Sequence, residues 1–461
     1  MDLDPLLLSR IQFAFVIAFH ILFPAFTIGL AAYIALLEAL WLVTRRSVYA
    51  TLSSFWTSIF AISFGMGVVS GIVMSYQFGT NWSRFADQTA NILGPLLSYE
   101  VLTAFFLEAT FLGLLLFGRG RVPHWMITLS ACMVALGTVV SAFWILSANS
   151  WMQTPAGYEL RDDGFHVTSW WDAIFNPSFP YRFAHMVTAC FLTTGFVVIG
   201  VGAWYVRRHR AGRPERLMLS MTLWLVAILA PLQILLGDLH GLNSVAHQPA
   251  KVAAMEGHWR SQRGAPLILF ALPDQDAMVN RWEIAVPKLG SLILTHDWNG
   301  PVQGLEEWPP DERPYVPIVF WSFRIMVGAG LIMLGLAAWG MWLRLRGRLF
   351  QPSLFHRLCV LAHPLGFVAV IAGWVTTEVG RQPWIVYGLM RTADGLTPTL
   401  SGATVLWSLI CYALAYAIIF GAGVYFIVRL IQRGPQAQER DSASQHAKPS
   451  SATAMGGGAG D

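Results

Sequence analysis

Residues 373–384 read Gly-Trp-Val-Thr-Thr-Glu-Val-Gly-Arg-Gln-Pro-Trp, and they close an apolar run that begins near residue 355. A run of about 20 such residues is long enough to cross a bilayer as a helix. Trp374, Glu378 and Arg381 fall at i, i+4 and i+7 and share one stripe of that helix. Pro383 then ends it close to a membrane surface. Ionisable side chains at the end of a span are costly against lipid. This stripe therefore faces protein or a bound group.

Working outward, eight further runs meet the same length criterion. With the first they lie at about 11–42, 52–76, 96–118, 124–146, 182–206, 217–236, 317–343, 355–377 and 403–428. The composition agrees: the 461 residues are 55% hydrophobic and only 12% charged, about half the charge of a soluble domain. The fold expected is an all-α polytopic membrane protein of about nine transmembrane helices. The first run is too long for the ~7–15-residue core of a signal peptide and reads as a retained span. Net charge is only +4, which gives no reason to expect nucleic acid. Cys132, Cys190, Cys359 and Cys411 stand singly in apolar runs, without C-x-x-C-H or zinc spacing. A haem here would be held without covalent attachment.

The connections alternate in charge. Arg45/Arg46, Arg119/Arg121, the five arginines between Arg207 and Arg216, and Arg344/Arg346/Arg348 follow spans one, three, five and seven. The positive-inside rule puts those loops in the cytoplasm, the N-terminus outside and the C-terminus in the cytoplasm. Residues 1–433 form the membrane domain on this reading. The one large hydrophilic loop, 237–316, lies outside and contains a short helix at 250–260. The tail 434–461 is Gln-, Ser-, Ala- and Gly-rich and is expected to be disordered. No inverted repeat is visible.

Polar residues within spans are functional candidates. His20 is in the outer part of span one, and Pro24, four residues on, lacks the N–H that would bond its carbonyl. The resulting kink makes room for something bulky, although an interhelical hydrogen bond would also explain the histidine. Glu100 and Glu108 in span three are eight residues apart, roughly 12 Å of rise and 80° around the axis. They read as a vertical relay on neighbouring faces, with Glu100 shallow enough to be a solvated helix-end residue. His185 opens span five, and Met326 lies near the outer end of span seven. Met at helical spacing is usually packing, but imidazole and thioether together are an axial set for low-spin haem. Arg324 points nearly opposite to Met326 and would reach a propionate only by snorkelling. In the span-eight stripe a haem explains the carboxylate, guanidinium and indole together. An interfacial ion pair with belt tryptophans is the plainer alternative. His20, His185, Met326 and Glu378 come from four helices, yet all fall at one depth.

The stretch Gly373–Trp384 resembles the G-W-x-x-x-E-x-G-R-Q-P-W signature of cytochrome bd-type quinol oxidase subunit I. Phe105–Glu108, Trp144–Gln153, Phe320–Gly328 and the outer loop with Lys251 and Glu256 are similar to that family too, over about residues 8–430. The resemblance implies that His185 and Met326 ligate a low-spin haem b. It implies that His20 and Glu378 ligate two high-spin haems, one b and one d, at the oxygen site. Lys251 and Glu256 would support quinol oxidation in the outer loop, apart from the helical core, and Ser141 would lie beside Glu100. The loop is short, as in the cyanide-insensitive subgroup, some of whose members carry haem b in place of d.

The function implied is oxidation of quinol at the outer face and reduction of O2 to water, without copper or a proton pump. The partners implied are quinol, O2, membrane lipid, a second transmembrane oxidase subunit and a small accessory subunit, in a bacterial inner membrane. Two rivals remain at this stage. A secondary transporter predicts broken helices and a midplane site, and a dehydrogenase anchor would use low-spin haem alone.

Overall fold

The computed structural model describes residues 3–435, so the predicted tail, apart from its first two residues, lies outside the described residues. Among the described residues nine helices are long and apolar enough to cross a membrane. They are α1 (Pro5–Thr44), α2 (Ser47–Thr80), α3 (Ala90–Phe117), α4 (His124–Gln153), α5 (Phe179–Arg207), α6 (Arg213–His247), α7 (Val316–Leu345), α8 (Leu354–Val379) and α9 (Gly402–Arg433). Each contains one of the nine runs read from sequence. The helices outlast the runs because hydropathy reads the membrane and not the helix. At 1.5 Å per residue the 40 residues of α1 reach roughly 60 Å, about twice the hydrocarbon thickness.

Three local features differ from the reading above. The sixth span continues to His247, eleven residues past its apolar run. The large loop therefore starts at Gln248 and not at 237. Its short helix is Pro249–Glu256 and not 250–260, because Gly257 adopts φ 70° and closes the last turn onto Ala253 and Ala254. A side chain at 257 would be strained, and its Cβ would also stand 3.2 Å from the Phe320 ring. Finally, α8 is interrupted at His363 and Pro364, between Leu354–Ala362 and Leu365–Val379. Proline cannot continue the hydrogen-bond ladder there.

The core is layered along the bundle. Leu30, Leu37, Phe55, Trp56 and Phe60 pack with Leu115 and Val134 towards the arginine-rich end. At the other end Trp82, Phe85, Leu96 and Trp151 pack around the β-hairpin 158–167. The large loop folds onto α7: Ala250, Ala253, Ala254 and Trp259 pack against Val316, Val319 and Phe320, with the antiparallel pair Leu267–Asp274 and Val279–Val286 alongside.

Candidate haem and quinol site

Three of the four predicted ligand side chains lie against a glycine on the next helix. A Cβ at Gly71 of α2 would stand 3.2 Å from His20 Cε1, and one at Gly237 of α6 would stand 3.3 Å from His185 Cε1. A Cβ at Gly373 of α8 would stand 2.8 Å from Met326 Sδ. Small residues at these crossings let the candidate ligand side chains pack directly against the neighbouring helix. His20 Nδ1 is 3.0 Å from Ser70 Oγ, and His185 Nε2 is 3.1 Å from Gln233 Nε2. No hydrogen bond among the described residues joins any two of His20, His185, Met326 and Glu378. Each is held by its own neighbouring helix.

Around Glu378 the structure gathers more charge than the sequence suggested. Glu378 Oε1 accepts from Asn149 Nδ2 at 2.9 Å, and Arg381 Nη2 donates to Glu378 Oε2 at 2.5 Å. Arg381 lies in the turn beyond the end of α8, so this contact is i, i+3 and the expected stripe stops at the carboxylate. Trp374 is half-buried on the same helix. Lys251 is not a peripheral loop residue. It is 3% exposed, and its Nζ donates to Gln153 Oε1 and Gln248 Oε1, both at 2.6 Å. Its stem lies against Gly380. Burial pushes the Lys251 ammonium well below its ordinary value, and Arg182 adds to the effect. Arg182, also buried, completes a group of three basic side chains around one carboxylate.

That imbalance tests whether the residues fit a haem. Nε and Nη1 of Arg381 and Nε of Arg182 are buried with no hydrogen-bond partner. An unpaired buried guanidinium nitrogen costs on the order of 1–3 kcal/mol or more. Carboxylates such as haem propionates would satisfy these donors and balance the excess charge. The donor set and the unpartnered guanidinium nitrogens fit the group.

Arg324 does not contribute to that cluster. Its Nη2 donates to Glu256 Oε2 at 2.7 Å and its Nε to the Ile268 carbonyl at 2.8 Å. The guanidinium expected to snorkel towards a propionate instead ties the loop to α7. Glu256 is thereby a fixed, buried carboxylate.

In α3 the two glutamates are closer in azimuth than the α-helical count gave. Residues Val101–Phe105 form a π turn between them. One extra residue in the turn removes roughly 100° of rotation, which brings Glu108 almost under Glu100. Both then face one stripe of α4. Ser141 Oγ donates to Glu100 Oε1 at 2.7 Å, and a Cβ at Gly137, one turn away, would stand 2.6 Å from Glu108 Cγ. Glu108 is 6% exposed, and its Oε1 has no partner.

Sequence reading missed Arg182, Gln153, Gln248 and Asn149. Asn149 and Gln153 lie within the stretch Trp144–Gln153, and Arg182 stands three residues before His185. A charge at the mouth of an apolar run was the available signal.

Fold and site together define a polytopic membrane protein whose donor set and unpartnered buried guanidinium nitrogens fit a haem. Over residues 8–435 the chain matches the family model of cytochrome bd terminal oxidase subunit I, and it belongs to that family. It is a multi-pass bacterial membrane protein. It is 35% identical to cytochrome bd ubiquinol oxidase subunit 1 of Bacillus subtilis, with 94% of this chain and 95% of that protein covered. It is 31% identical to cytochrome bd-II ubiquinol oxidase subunit 1 of Escherichia coli, covering 96% and 99% of the two. Its fold superposes on the bd oxidase of Geobacillus thermodenitrificans with a TM-score of 0.87 at 31% identity, over 94% of this chain and all of that one.

Proposed function

We propose that this chain is the haem-bearing subunit of a quinol:oxygen oxidoreductase that oxidises quinol at the outer face, reduces O2 to water and charges the membrane without copper or a pump. The buried cluster of Arg182, Lys251 and Arg381 around Glu378 carries this reading, because the unpartnered guanidinium nitrogens of Arg182 and Arg381 call for anionic groups. His185 and Met326 would hold a low-spin haem b. His20 and Glu378 would hold two high-spin haems, one b and the other d or, as the short loop suggests, b. When bound, the haems supply the one-electron steps that link quinol to O2.

The remaining work falls to the chain itself. Glu256, fixed by Arg324, offers a carboxylate to a quinol hydroxyl, and Lys251 offers a donor. Glu108 and Glu100, with Ser141, carry protons along α3 towards the ligand end. With the arginine-rich loops in the cytoplasm, each proton crosses most of the field, against about 2.3 kcal/mol per 100 mV. A second transmembrane subunit and a small accessory subunit would complete the enzyme.

Visible spectra of the purified protein test the reading. Reduced-minus-oxidised bands with CO binding are expected. Absence of haem would turn the assignment towards a transporter, and haem that ignores CO towards a dehydrogenase anchor.

A further inference from the structure

The arginine-rich end of the bundle carries a second site, unconnected with the haem cluster. An open cleft of about 540 Å³ lies between the start of α6 and the α7–α8 connection. Arg213, Arg216 and Ser220 line one side with Leu217, and Phe350 lines the other. Residues 207–217 and 344–357 together carry nine arginines against one acid, Glu215. That acid is buried, does not line the cleft and lies near Tyr205. Arg213, Arg216 and Arg344 have no carboxylate partner among the described residues.

Their positions are nonetheless built. Arg344 donates to Ser220 Oγ at 2.5 Å and lies over the Trp224 ring at 5.2 Å. Arg216 lies 5.7 Å over Phe350. Stacking guanidiniums on aromatic faces fixes them while leaving N–H groups open. Trp224, under Arg344, and Trp342, under Arg346, are half exposed at this end of the bundle, as tryptophans at a headgroup boundary are. The cleft therefore places guanidiniums beside apolar side chains, the two chemistries a phospholipid presents as phosphate and acyl chain.

We propose that this cleft binds the phosphate of an anionic phospholipid in the adjoining leaflet, with Arg213 and Arg216 on the phosphate and Leu217, Phe350 and Trp224 along the upper acyl chain. An uncommitted basic surface would attract lipid only diffusely. A cleft with stacked arginines should hold one molecule.

The test uses the whole enzyme as purified from membranes, exchanged into phosphatidylcholine nanodiscs and titrated with phosphatidylglycerol. Native mass spectrometry counts retained lipid, and brominated phosphatidylglycerol reads proximity by quenching Trp224, identified by its loss in Trp224→Phe. One retained phosphatidylglycerol is expected, with binding weakened roughly fivefold by Arg216→Ala and by Arg213→Ala. Arg216→Lys, which keeps the charge but not the stacking, should lose part of the affinity, and Arg46→Ala, a basic residue outside the cleft, none of it. If Arg216→Ala does not fold, Arg213→Ala carries the same reading. Equal retention of phosphatidylcholine, equal loss in Arg46→Ala, or displacement of the lipid by millimolar inorganic phosphate would each overturn the proposal, the last by making this a free-anion site.

Discussion

Two buried groups in the same bundle carry opposite charge imbalances. Around Glu378 three basic side chains, Arg182, Lys251 and Arg381, gather near one carboxylate, and Arg381 is paired with it. Along α3 two carboxylates, Glu100 and Glu108, have no salt-bridge partner among the described residues. A third pair supplies the reference state. Glu38 is fully buried, paired with Arg119 and bonded by Ser53. A balanced pair such as Glu38–Arg119 is architecture, since removing either partner leaves an uncompensated charge. An unbalanced group would not survive burial unless something else arrives to balance it. For the cation-rich cluster that is an anion; for the carboxylate pair it is a proton. The difference separates cofactor binding from proton transfer within one membrane protein.

The largest expected effect asks whether the cation-rich end is a haem site at all. Met326→Leu should abolish the low-spin spectrum and quinol-linked reduction. Leu and Met are close in volume, so packing should lose less than about 1.5 kcal/mol and the fold should persist. An unchanged low-spin band would remove Met326 as a ligand, and with it the meaning given to Gly373.

The carboxylate pair is tested next. Glu108→Gln keeps the shape and hydrogen bonding of the side chain but cannot ionise. Turnover and voltage formation in proteoliposomes should fall by roughly 10²-fold while the haem spectra stay normal. Wild-type rates would break the comparison, since the two acids would then be no more than buried polar groups.

How much of this was legible depends on which force sets each feature. The nine spans follow from apolar run length, and His20, His185 and Glu378 from the cost of polar atoms in lipid, while Met326 entered only as a thioether partner for His185 and through the family resemblance. Both are local signals that a sequence displays. The π turn at Val101–Phe105 comes from how α3 packs on α4, and no local spacing announces it, so the 80° offset between Glu100 and Glu108 was wrong. Arg324 was aimed at a propionate because the partner that takes it, Glu256, is 68 residues away in a loop. Lys251 looked solvent-facing for the same reason: a loop that folds back onto the bundle reads as hydrophilic until its contacts are known. The cleft at Arg213 and Arg216 had been read only as a topology signal.

Lys251 and Glu256 now separate where the sequence grouped them. Glu256→Gln should lower kcat/KM for quinol about tenfold, the value of one charge-assisted hydrogen bond. It should leave the haem spectra intact, and donors that bypass quinol should still support O2 uptake. Lys251→Ala removes a basic side chain from the cluster as well, so it should also perturb the spectra. If the two variants behave alike, Lys251 belongs to the quinol loop alone and the count of basic side chains around Glu378 falls to two.

The smallest effect falls on Ser141. Among the described residues its hydroxyl is the one donor found on Glu100 Oε1, at 2.7 Å. Ser141→Ala removes that oxygen alone and leaves α4 with a better helix former, so the fold should persist. The lost hydrogen bond is worth about 1 kcal/mol, and turnover should drop roughly fivefold, with KM for quinol and the haem spectra unchanged. Glu108→Gln combined with Ser141→Ala should then be no slower than Glu108→Gln alone, because both act on one route. Additive losses would mean that Glu100 and Glu108 serve separate paths. The π turn that aligns them would then be a packing detail rather than part of a proton relay.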